Sequence, residues 1–311
     1  MDIVDGPKSD ELLSPRQVAE ALGVSESSVK RWSDDGLMAT HKTAGGHRKL
    51  ARADVLRFVR EQGYDISKPE LLGLARVPRH PFVDRATQDQ LLTALVDGDG
   101  EAIRRLLVAL FVRGEPLSAI FDDLLAVALR ELGSRWEHGS VRVFEEHRAI
   151  ELVHRALHEL RQLLIRRRRT RRPSAIVATL SGDPYTVASA MAELTLADAG
   201  WLVTNFGPDN PSETLVEAIV ELRPRLICIG INWIGDADQL ADQYAAIAAA
   251  ARDHRAAVVI GGARTSAIRA KIHYATCCAN MRELADFAVT LEPGADDRSP
   301  RRAKPSRASG G

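Results

Sequence analysis

Three side chains near the middle of the chain have the types needed to cover a flat ligand. Trp136 supplies a large indole, and a carboxylate and an imidazole follow at Glu146 and His147. A Gly-Ser pair between them favours a turn, so we expect one helix to end near Trp136 and another to begin around Val143. This turn brings the three side chains to one end of a helix pair, where they are placed to cap a planar ligand. The structural alternative is that Trp136 is buried and anchors the hairpin, as aromatic residues at helix ends commonly do.

Later in the chain, glycine-rich polar loops follow short apolar runs. These loops carry Asp183, Tyr185, Asn232, Gly261 and Gly262. The apolar runs alternate with helical patterns, which predicts a flavodoxin-like, doubly wound parallel sheet in a multi-domain chain of α and α/β class. Ligands of such sheets bind at the carboxyl ends of the strands, and glycine there lets the backbone approach a bulky group closely. The alternative is an ordinary scaffold in which the glycines only make turns.

The elements that must position these residues follow from apolar spacing. Helical periodicity in four segments between residues 85 and 165, broken by loops that contain Gly or Pro, predicts an antiparallel four-helix bundle. Asn210 is expected to cap a later helix, with Pro211 at its first position. For the α/β part we predict strands at 175–180, 201–206, 226–231 and 256–260 and helices at 187–199, 212–222 and 237–253.

The first part of the chain has the pattern of a winged helix-turn-helix. Ser14-Pro15 opens one helix, and Ser25 caps a second helix in which Val29 and Trp32 face inward. The outward residues of the second helix are polar or basic, which suits phosphates and base edges. A hairpin-like wing with Gly-Gly at its tip follows, and a helix at 53–62 closes the domain. The candidate DNA contacts are Arg16, Ser27, Ser28, Lys30 and Arg31 on the helices and Lys42, His47, Arg48 and Lys49 on the wing.

Length and composition limit the class of protein. A chain of 311 residues is too long for one core and indicates several domains. Lys plus Arg and Asp plus Glu number 42 each, so contact with a polyanion must come from a local patch. The cysteines, two of them adjacent at Cys277 and Cys278, form no disulfide framework and fit a reducing compartment. Because neither a signal peptide nor an apolar run of about 20 residues is visible, we expect a cytoplasmic protein with no membrane partner.

Two further groups of residues are interpreted without special chemistry. One predicted helix carries His147, Glu151, His154 and His158, but the last two flank its apolar stripe and no cysteine lies nearby. We therefore expect a solvated or packed helix face and no metal site. The adjacent cysteines are interpreted as buried packing, although a reactive pair is the alternative. The Arg-rich run that follows the bundle is interpreted as a helix end and linker rather than a DNA contact.

These patterns divide the chain into seven segments. Proline and glycine residues between 63 and 81 forbid a long helix after the wing and mark a linker. The last residues are rich in Arg, Ser, Pro and Gly, which is typical of a disordered tail. The expected segments are a disordered N-terminus (1–11), a winged helix DNA-binding domain (12–74), a linker (75–86), the four-helix bundle (87–165), an Arg-rich linker (166–173), the α/β domain (174–293) and the tail (294–311).

The N-terminal pattern resembles the winged helix of MerR-type transcription regulators. The resemblance rests on residues 14–19, 22–25, 29–32, 36–37 and 46–50. It implies a double-stranded DNA operator as partner. Typical members continue into a long dimerising helix, which this chain lacks. A single winged helix makes few phosphate contacts, so we expect homo-oligomers to form through the C-terminal modules and to bring several heads onto DNA.

Residues 87 to 291 resemble the cobalamin-binding module, in which a helical bundle covers the upper face of the cofactor. Gly133, Trp136, Glu146 and His147 match that bundle, and the glycines of the later loops match those around the lower face and the nucleotide tail. Joined to the MerR-type head, the chain resembles the light-responsive, cobalamin-dependent repressors of carotenoid genes. In that family adenosylcobalamin drives assembly and DNA binding, and light reverses both.

Several positions depart from the family pattern. The cobalt-ligating motif is Asp-x-His-x-x-Gly, and here Tyr185 replaces the His and Ala188 replaces the Gly. The family's Ser-x-Thr motif reads Gly-Ile-Asn at 230–232, and the position after the Trp is Glu137, with His138 one residue late. A neutral phenol, with a reference pKa of about 10, is a poor cobalt ligand. Together these changes argue against cobalamin ligated by a histidine from below.

We therefore expect a sequence-specific DNA-binding transcription regulator, a repressor and not an enzyme, with a sensor derived from a cobalamin module. Three ligand alternatives stay open: adenosylcobalamin without a protein ligand, another tetrapyrrole such as haem or a linear tetrapyrrole, and no ligand. Two other functions are weighed against this one. The first is a ligand-free regulator whose sensor binds a partner protein. The second is a corrinoid carrier or methyltransferase subunit, which the missing His and the attached winged helix disfavour.

Overall fold

The computed structural model describes residues 12–42, 46–77, 83–164 and 172–291, without the side chain of Lys42. The expectations of disorder for 1–11 and of a disordered tail at 294–311 fall outside these residues. So do the expectations for the tip of the wing at 43–45 and for most of the Arg-rich linker.

The N-terminal head is a winged helix-turn-helix, as predicted. The Ser14 hydroxyl accepts from Gln17 N at 3.2 Å while the Gln17 side chain accepts from Ser14 N at 2.9 Å, so both ends of a capping box are present. Val29 and Trp32 are buried, and the Trp32 ring lies 4.9 Å from that of Phe58. The elements are β1 (Leu12–Leu13), α1 (Pro15–Leu22), α2 (Glu26–Asp34), β2 (Thr40–Lys42), β3 (Arg48–Ala51) and α3 (Arg52–Gln62), with an antiparallel sheet in the order β1-β3-β2.

The middle of the chain forms the predicted four-helix bundle. Asp84 and Asp99 cap its first two helices by accepting from backbone N–H groups two or three residues into each helix. The third helix changes to π-helical spacing for one turn and then resumes α-helical spacing. The elements are α4 (Arg85–Asp97), α5 (Gly100–Val112), α6 (Leu117–Ile120), the π turn (Phe121–Leu125), α7 (Ala126–Glu137) and α8 (Val143–Leu164).

The C-terminal part is a parallel sheet with the order β5-β4-β6-β7-β8, which confirms the flavodoxin-like prediction. Strand order reverses between β4 and β6, the place where such sheets bind ligands. The short β8 and the last two helices were not predicted. The elements are β4 (Ser174–Thr179), α9 (Val187–Asp198), β5 (Leu202–Asn205), α10 (Ser212–Leu222), β6 (Leu226–Gly230), α11 (Ala237–Asp253), β7 (Ala257–Gly261), α12 (Thr265–Ile268), β8 (Thr276–Cys277) and α13 (Met281–Thr290).

The predicted cap of α10 is wrong in detail. This helix begins at Ser212, and Pro211 lies just outside it in an extended conformation. The buried Asn210 side chain does not accept from the helix. Its amide instead donates to the carbonyl of Thr179 at 3.1 Å and to that of Gly207 at 2.9 Å. Asn210 therefore fixes the loop after β5 against the end of β4.

The head and the bundle share one hydrophobic core. A single cluster of buried side chains runs from Leu13 in the head to Leu164 at the end of α8 and includes Met191 and Leu194 on α9. Two further clusters cover the two faces of the parallel sheet. The bundle thus packs on the head at one side and on α9 at the other. No described helix is both long and apolar enough to cross a bilayer.

Candidate functional site

The recognition surface of the head is open to solvent. On α2, Ser27, Lys30 and Arg31 are exposed, as the sequence predicts. Ser28 is half-buried, and its hydroxyl lies 2.9 Å from that of the capping Ser25. Lys30 pairs with Glu26 of the same helix at 2.8 Å. Such an exposed pair is weak and gives way readily to a phosphate.

The wing and the first helix complete this surface. Arg48 pairs with Asp34 at the end of α2 at 2.6 Å, which ties the wing to the recognition helix. Arg16 and His47 are exposed, and Lys49 is half-buried. The side chain of Lys42, also expected to contact DNA, falls outside the described part of the wing. The candidate DNA contacts whose side chains are described lie on exposed or partly exposed positions of α1, α2 and the wing, where a duplex can reach them.

The hairpin between α7 and α8 carries exposed aromatic surface. Trp136 is 46% exposed, and Val143 and Phe144 are each 54% exposed. The alternative of a buried Trp136 that anchors the hairpin is therefore wrong. Glu146 and His147 lie side by side at the start of α8, with 3.6 Å between Oε2 and Nε2. The hairpin thus presents an indole, a carboxylate and an imidazole on accessible surface.

The first turn of α8 is held by a local ion pair. Glu145 accepts from the backbone N–H of Arg142 at 2.8 Å and from its guanidinium. These hydrogen bonds from Arg142 lower the pKa of Glu145 to about 2. The anionic carboxylate also suits the positive end of the helix dipole. This arrangement fixes the start of α8 and therefore the positions of the two residues that follow, Glu146 and His147.

Asp183 lies at the carboxyl edge of the sheet, where the strand order reverses between β4 and β6. Its side chain is buried and accepts from the backbone N–H groups of Asn232 at 2.6 Å, Trp233 at 3.2 Å and Tyr185 at 3.1 Å. These donors belong to the loops after β4 and β6, so one carboxylate holds the two loops together. Tyr185 and Trp233, by contrast, are 53% and 50% exposed. Their rings offer flat apolar surface at the carboxyl edge of the sheet.

Glycine is required where the loops approach each other. Gly262 has a φ of 114°, and a Cβ there would lie 2.5 Å from the carbonyl oxygen of Ile231. A Cβ on Gly261 would lie 3.1 Å from the carbonyl oxygen of Cys278, and one on Gly230 would lie 3.5 Å from the Ser189 hydroxyl. Gly261 and Gly262, which the sequence analysis predicts as ligand residues, therefore make close protein contacts as well as turns.

A cleft of about 650 Å³ lies between α8 and α9, next to the end of β5. His154 Nε2 and the Thr186 hydroxyl meet across it at 2.7 Å, and Arg161 pairs with Glu193 at 2.8 Å. Ser189 also lines the cleft, and its buried hydroxyl has no hydrogen-bond partner. Such an orphaned group is uncommon in a protein interior and marks a position where a ligand or water atom is expected.

The sequence did not identify this cleft as a site. His154 was considered only as a metal ligand, and within the described residues no group of three or more His, Cys, Asp or Glu side chains is arranged to hold a metal ion. The available signal was the spacing of His154 and Arg161, seven residues apart on one face of a helix. Which helix they face could not be known without the tertiary structure.

The predicted ligand residues fall into two groups, and none of them is among the described residues that line this cleft. Trp136, Glu146 and His147 lie at the α7–α8 hairpin, and the other group lies on the loops of the sheet. His147 is seven residues from His154, or roughly 10 Å along the helix axis. Among the described residues no hydrogen bond joins the two groups directly. Helix α8 connects them, because it begins at the first group and contacts the loop of the second at Thr186.

The cysteines lie in packed surroundings. Cys228 and Cys278 are buried. Burial raises the pKa of the Cys278 thiol to about 11 and also raises that of Cys228. Thiols with raised pKa values are protonated near neutral pH and therefore weak nucleophiles. For these two residues the geometry agrees with packing rather than reactivity.

Comparison with known families identifies three consecutive modules. A helix-turn-helix domain matches residues 12–63, and two models, each described as a B12 binding domain, match 87–161 and 173–285. The chain joins a helix-turn-helix domain to B12 binding domains. The predicted DNA contacts lie in the first match, the hairpin group in the second and the loop group in the third.

Two transcriptional repressors are similar to this chain over about two thirds of its length. The HTH-type transcriptional repressor CarH of Myxococcus xanthus is 28% identical over 67% of this chain and 75% of that protein. The HTH-type transcriptional repressor CarA of the same organism is 24% identical over 69% of this chain and 74% of that protein. These distant homologues confirm the resemblance to helix-turn-helix transcriptional repressors.

One solved structure supports the fold. The monomethylamine corrinoid protein of Methanosarcina barkeri superposes with a TM-score of 0.56 and 17% identity, over 67% of this chain and all of that protein. At this identity the likeness shows that the B12 binding part has the fold of a corrinoid protein, and no more. The bundle and the flavodoxin-like sheet therefore form one arrangement that recurs beyond the helix-turn-helix repressors.

Proposed function

We propose that this chain is a sequence-specific DNA-binding transcription regulator, a repressor, whose assembly and DNA binding respond to a corrinoid ligand. The observation that carries the proposal is a helix-turn-helix head with an open recognition helix, packed in one core with a B12 binding bundle. The two distant homologues are described as transcriptional repressors, which supports the direction of control.

DNA binding in this proposal depends on several copies of the chain. The described basic residues of one head provide few phosphate contacts, so one head binds DNA weakly at physiological salt. A ligand that favours an oligomer brings several heads to neighbouring half-sites. The second head then binds at a high effective concentration, and affinity rises without any new contact.

The residues around the cleft fit a corrinoid held by shape and hydrogen bonds. Ser189, which lines the cleft, offers an unpaired buried hydroxyl. Trp136 and Tyr185 offer exposed aromatic faces. Adenosylcobalamin, the corrinoid we propose, supplies a cobalt–carbon bond that light breaks.

The same residues do not supply a cobalt ligand from the loop after β4. The position expected for the ligating imidazole is occupied by Tyr185, whose side chain carries no imidazole nitrogen. On the opposite side His138 follows Trp136 one residue late, and its Nδ1 lies 2.7 Å from the carbonyl of Ser134. This contact uses only Nδ1 and leaves Nε2 free, which is the usual arrangement of an imidazole that binds a metal through its other nitrogen. We therefore propose binding without a ligand from the Tyr185 loop, and His138 remains available on the side of Trp136.

The proposal is tested with the full chain and adenosylcobalamin in the dark. We expect co-elution of the corrinoid with the protein, a shift to a larger oligomer in size-exclusion chromatography, and tighter binding to a duplex selected from a random DNA pool. Illumination should reverse the size shift. If haem rather than a corrinoid co-elutes with the protein purified from cells, the proposed ligand is wrong, but the proposed role as a DNA-binding regulator stands.

A ligand-free regulator is the second candidate, and one observation favours it. The Asp183 carboxylate already joins the loops after β4 and β6, so the crevice at the strand reversal is filled by protein contacts. In this case the protein selects a DNA sequence but shows no visible absorption and no response to corrinoid or haem. A corrinoid carrier would instead bind the cofactor and select no DNA sequence.

A further inference from the structure

The two helices that line the cleft run side by side in the same direction. His154 on α8 meets Thr186 at the start of α9, and Arg161 on α8 meets Glu193 within α9. From the first contact to the second, the residue number rises by seven on α8 and by seven on the α9 side. Helices cross-linked in this way are parallel, and the cleft widens if either helix moves away from the other.

Helix α3 of the head makes an ion pair with each of these helices. Arg52 donates from Nη1 to Glu159 on α8 at 2.8 Å, and Arg60 donates from Nη2 to Asp198 on α9 at 3.0 Å. The two arginines are eight residues apart, or about 12 Å along the helix axis. One rigid helix of the head therefore spans the distance between the two walls of the cleft.

Both ion pairs are protected from solvent and supported by further contacts. The side chains are 10% and 22% exposed for Arg52 and Glu159, and 16% and 15% exposed for Arg60 and Asp198. Arg52 also donates from Nε to the carbonyl of Leu72 at 2.7 Å. Charges this well covered are strongly coupled to their partners, unlike exposed surface pairs.

The Arg60 side chain is held on several sides. It donates to the carbonyl of Glu115 at 3.0 Å and to that of Phe111, and its guanidinium lies 3.8 Å from the centre of the Phe111 ring. Asp198 in turn accepts from the backbone N–H of Leu117 at 3.1 Å. The end of α9 is thus fixed both to the head and to the start of α6.

We propose that α3 acts as a clamp across the cleft, so that the separation of α8 and α9 and the position of the DNA-binding head are coupled. Widening the cleft moves Glu159 and Asp198 apart, and a rigid α3 cannot then keep both ion pairs. The clamp follows from the contacts above. That a corrinoid is the ligand that opens it rests on the proposed function.

The clamp controls where the head lies rather than whether DNA can reach it. Ser27, Lys30 and Arg31 stay exposed while α3 is docked on the bundle. A released head can be placed differently relative to a second copy of the chain, and the spacing of half-sites then decides affinity. Arg52, Arg60 and their partners are positioning residues, since they lie in the core behind the recognition helix.

Linkage makes the clamp testable without any ligand. If the head and the cleft are coupled, loosening the head must also loosen the cleft, because coupling acts equally in both directions. Hydrogen–deuterium exchange of the full chain measures the opening of α3 in the head and of α9 at the cleft in one experiment. For Arg60→Gln we expect amides of α3 to exchange about tenfold faster. We expect a similar increase for the amides of Ala190 and Met191, where the hydrogen-bonded part of α9 begins, roughly 10–12 Å from Asp198 along the helix axis.

Two variants make the result specific. Asp198→Asn, which keeps the shape of the side chain, should reproduce both increases, and the Arg60→Gln/Asp198→Asn double variant should add little to either single change. The matched control is Arg57→Gln on the same helix, because Arg57 pairs within α3 to Asp54 at 2.7 Å. It should leave the exchange of α9 within twofold of the parent.

The outcomes separate the clamp from the proposed ligand. Faster exchange in α3 alone, with the amides of Ala190 and Met191 on α9 unchanged in both Arg60→Gln and Asp198→Asn, overturns the clamp. With adenosylcobalamin added in the dark, the parent chain should show the same increases, and Arg60→Gln should show no further one. Failure to bind adenosylcobalamin refutes that ligand, while the ligand-free comparison still decides the clamp. Binding without any change in α3 overturns the coupling.

Discussion

Replacing Glu159 by glutamine should destabilise the shared core of the head and bundle. Its carboxylate accepts from Arg52 at 2.8 Å and from Arg104 at 3.1 and 3.3 Å. Burial acts to lower the pKa of Arg104, but its hydrogen bonds and the charges of Glu101 and Glu159 outweigh burial and raise that pKa. Glu159→Gln keeps the shape but leaves Arg104 with the carboxylate of Glu101 and Arg52 with only the carbonyls of Leu72 and Gly73 beside the neutral amide.

The size of the destabilisation follows from the hydrogen bonds of Arg52 and Arg104, whose acceptor changes from a carboxylate to a neutral amide. A hydrogen bond to a charged group contributes about 1.5–3 kcal/mol and a neutral one about 0.5–1.5 kcal/mol, so two partners imply a loss of about 2 kcal/mol. Repulsion between the guanidinium groups adds to this loss. The 22% exposure of Glu159 keeps the total below the roughly 3–5 kcal/mol of a fully buried pair. We expect about 2–3 kcal/mol.

Differential scanning calorimetry measures this change. Because the head and bundle share one core, we expect them to unfold in one transition, which Glu159→Gln should lower by roughly 5–10 °C. The control is Glu131→Gln, which removes an exposed pair with Arg135 on α7 and should cost less than about 0.5 kcal/mol. Equal transition temperatures for the two variants, or a separate head transition that does not move, would refute the reasoning.

Three further predictions concern DNA, assembly and pH. Arg31→Ala should weaken binding to a selected duplex by about 1–3 kcal/mol and reduce the salt slope by about one, and unchanged titrations at two salt concentrations would contradict this. Trp136→Ala should leave the monomer folded, because the indole is exposed, but should abolish ligand-dependent assembly in size-exclusion chromatography. Glu145 has a folded pKa of about 2, below its unfolded value of about 4.3, so its stabilising effect is present above pH 4.3 and is lost as pH falls towards 2. A carboxyl NMR titration midpoint near 4 would show that the Arg142 pair is absent.

Features that depend on local sequence were predicted well. Ser14 and Ser25 cap their helices because short hydroxyl side chains reach the free backbone N–H groups at a helix start. The parallel, doubly wound sheet follows from the alternating strand and helix patterns, although its strand order was not predicted. The head, the bundle and the parallel sheet could all be predicted from such signals.

Features that depend on how modules pack could not be predicted. Nothing in the spacing of Arg60 and Asp198 indicates that these residues meet, because they are far apart in the chain and lie in different modules. Trp136 was assigned correctly to a helix end, but its exposure depends on what packs against the hairpin. The side chain of Asn210 illustrates the same limit at short range, because a tertiary contact with Thr179 competes with helix capping and prevails.

The central claim is that the B12 binding modules decide when several heads bind DNA together. Sedimentation velocity of the full chain with a labelled selected duplex, in the dark, tests it most directly. With adenosylcobalamin we expect a larger protein–DNA complex that forms at a protein concentration at least about tenfold lower than without it. One protein copy bound per duplex, with the same affinity with and without bound adenosylcobalamin, would contradict the account.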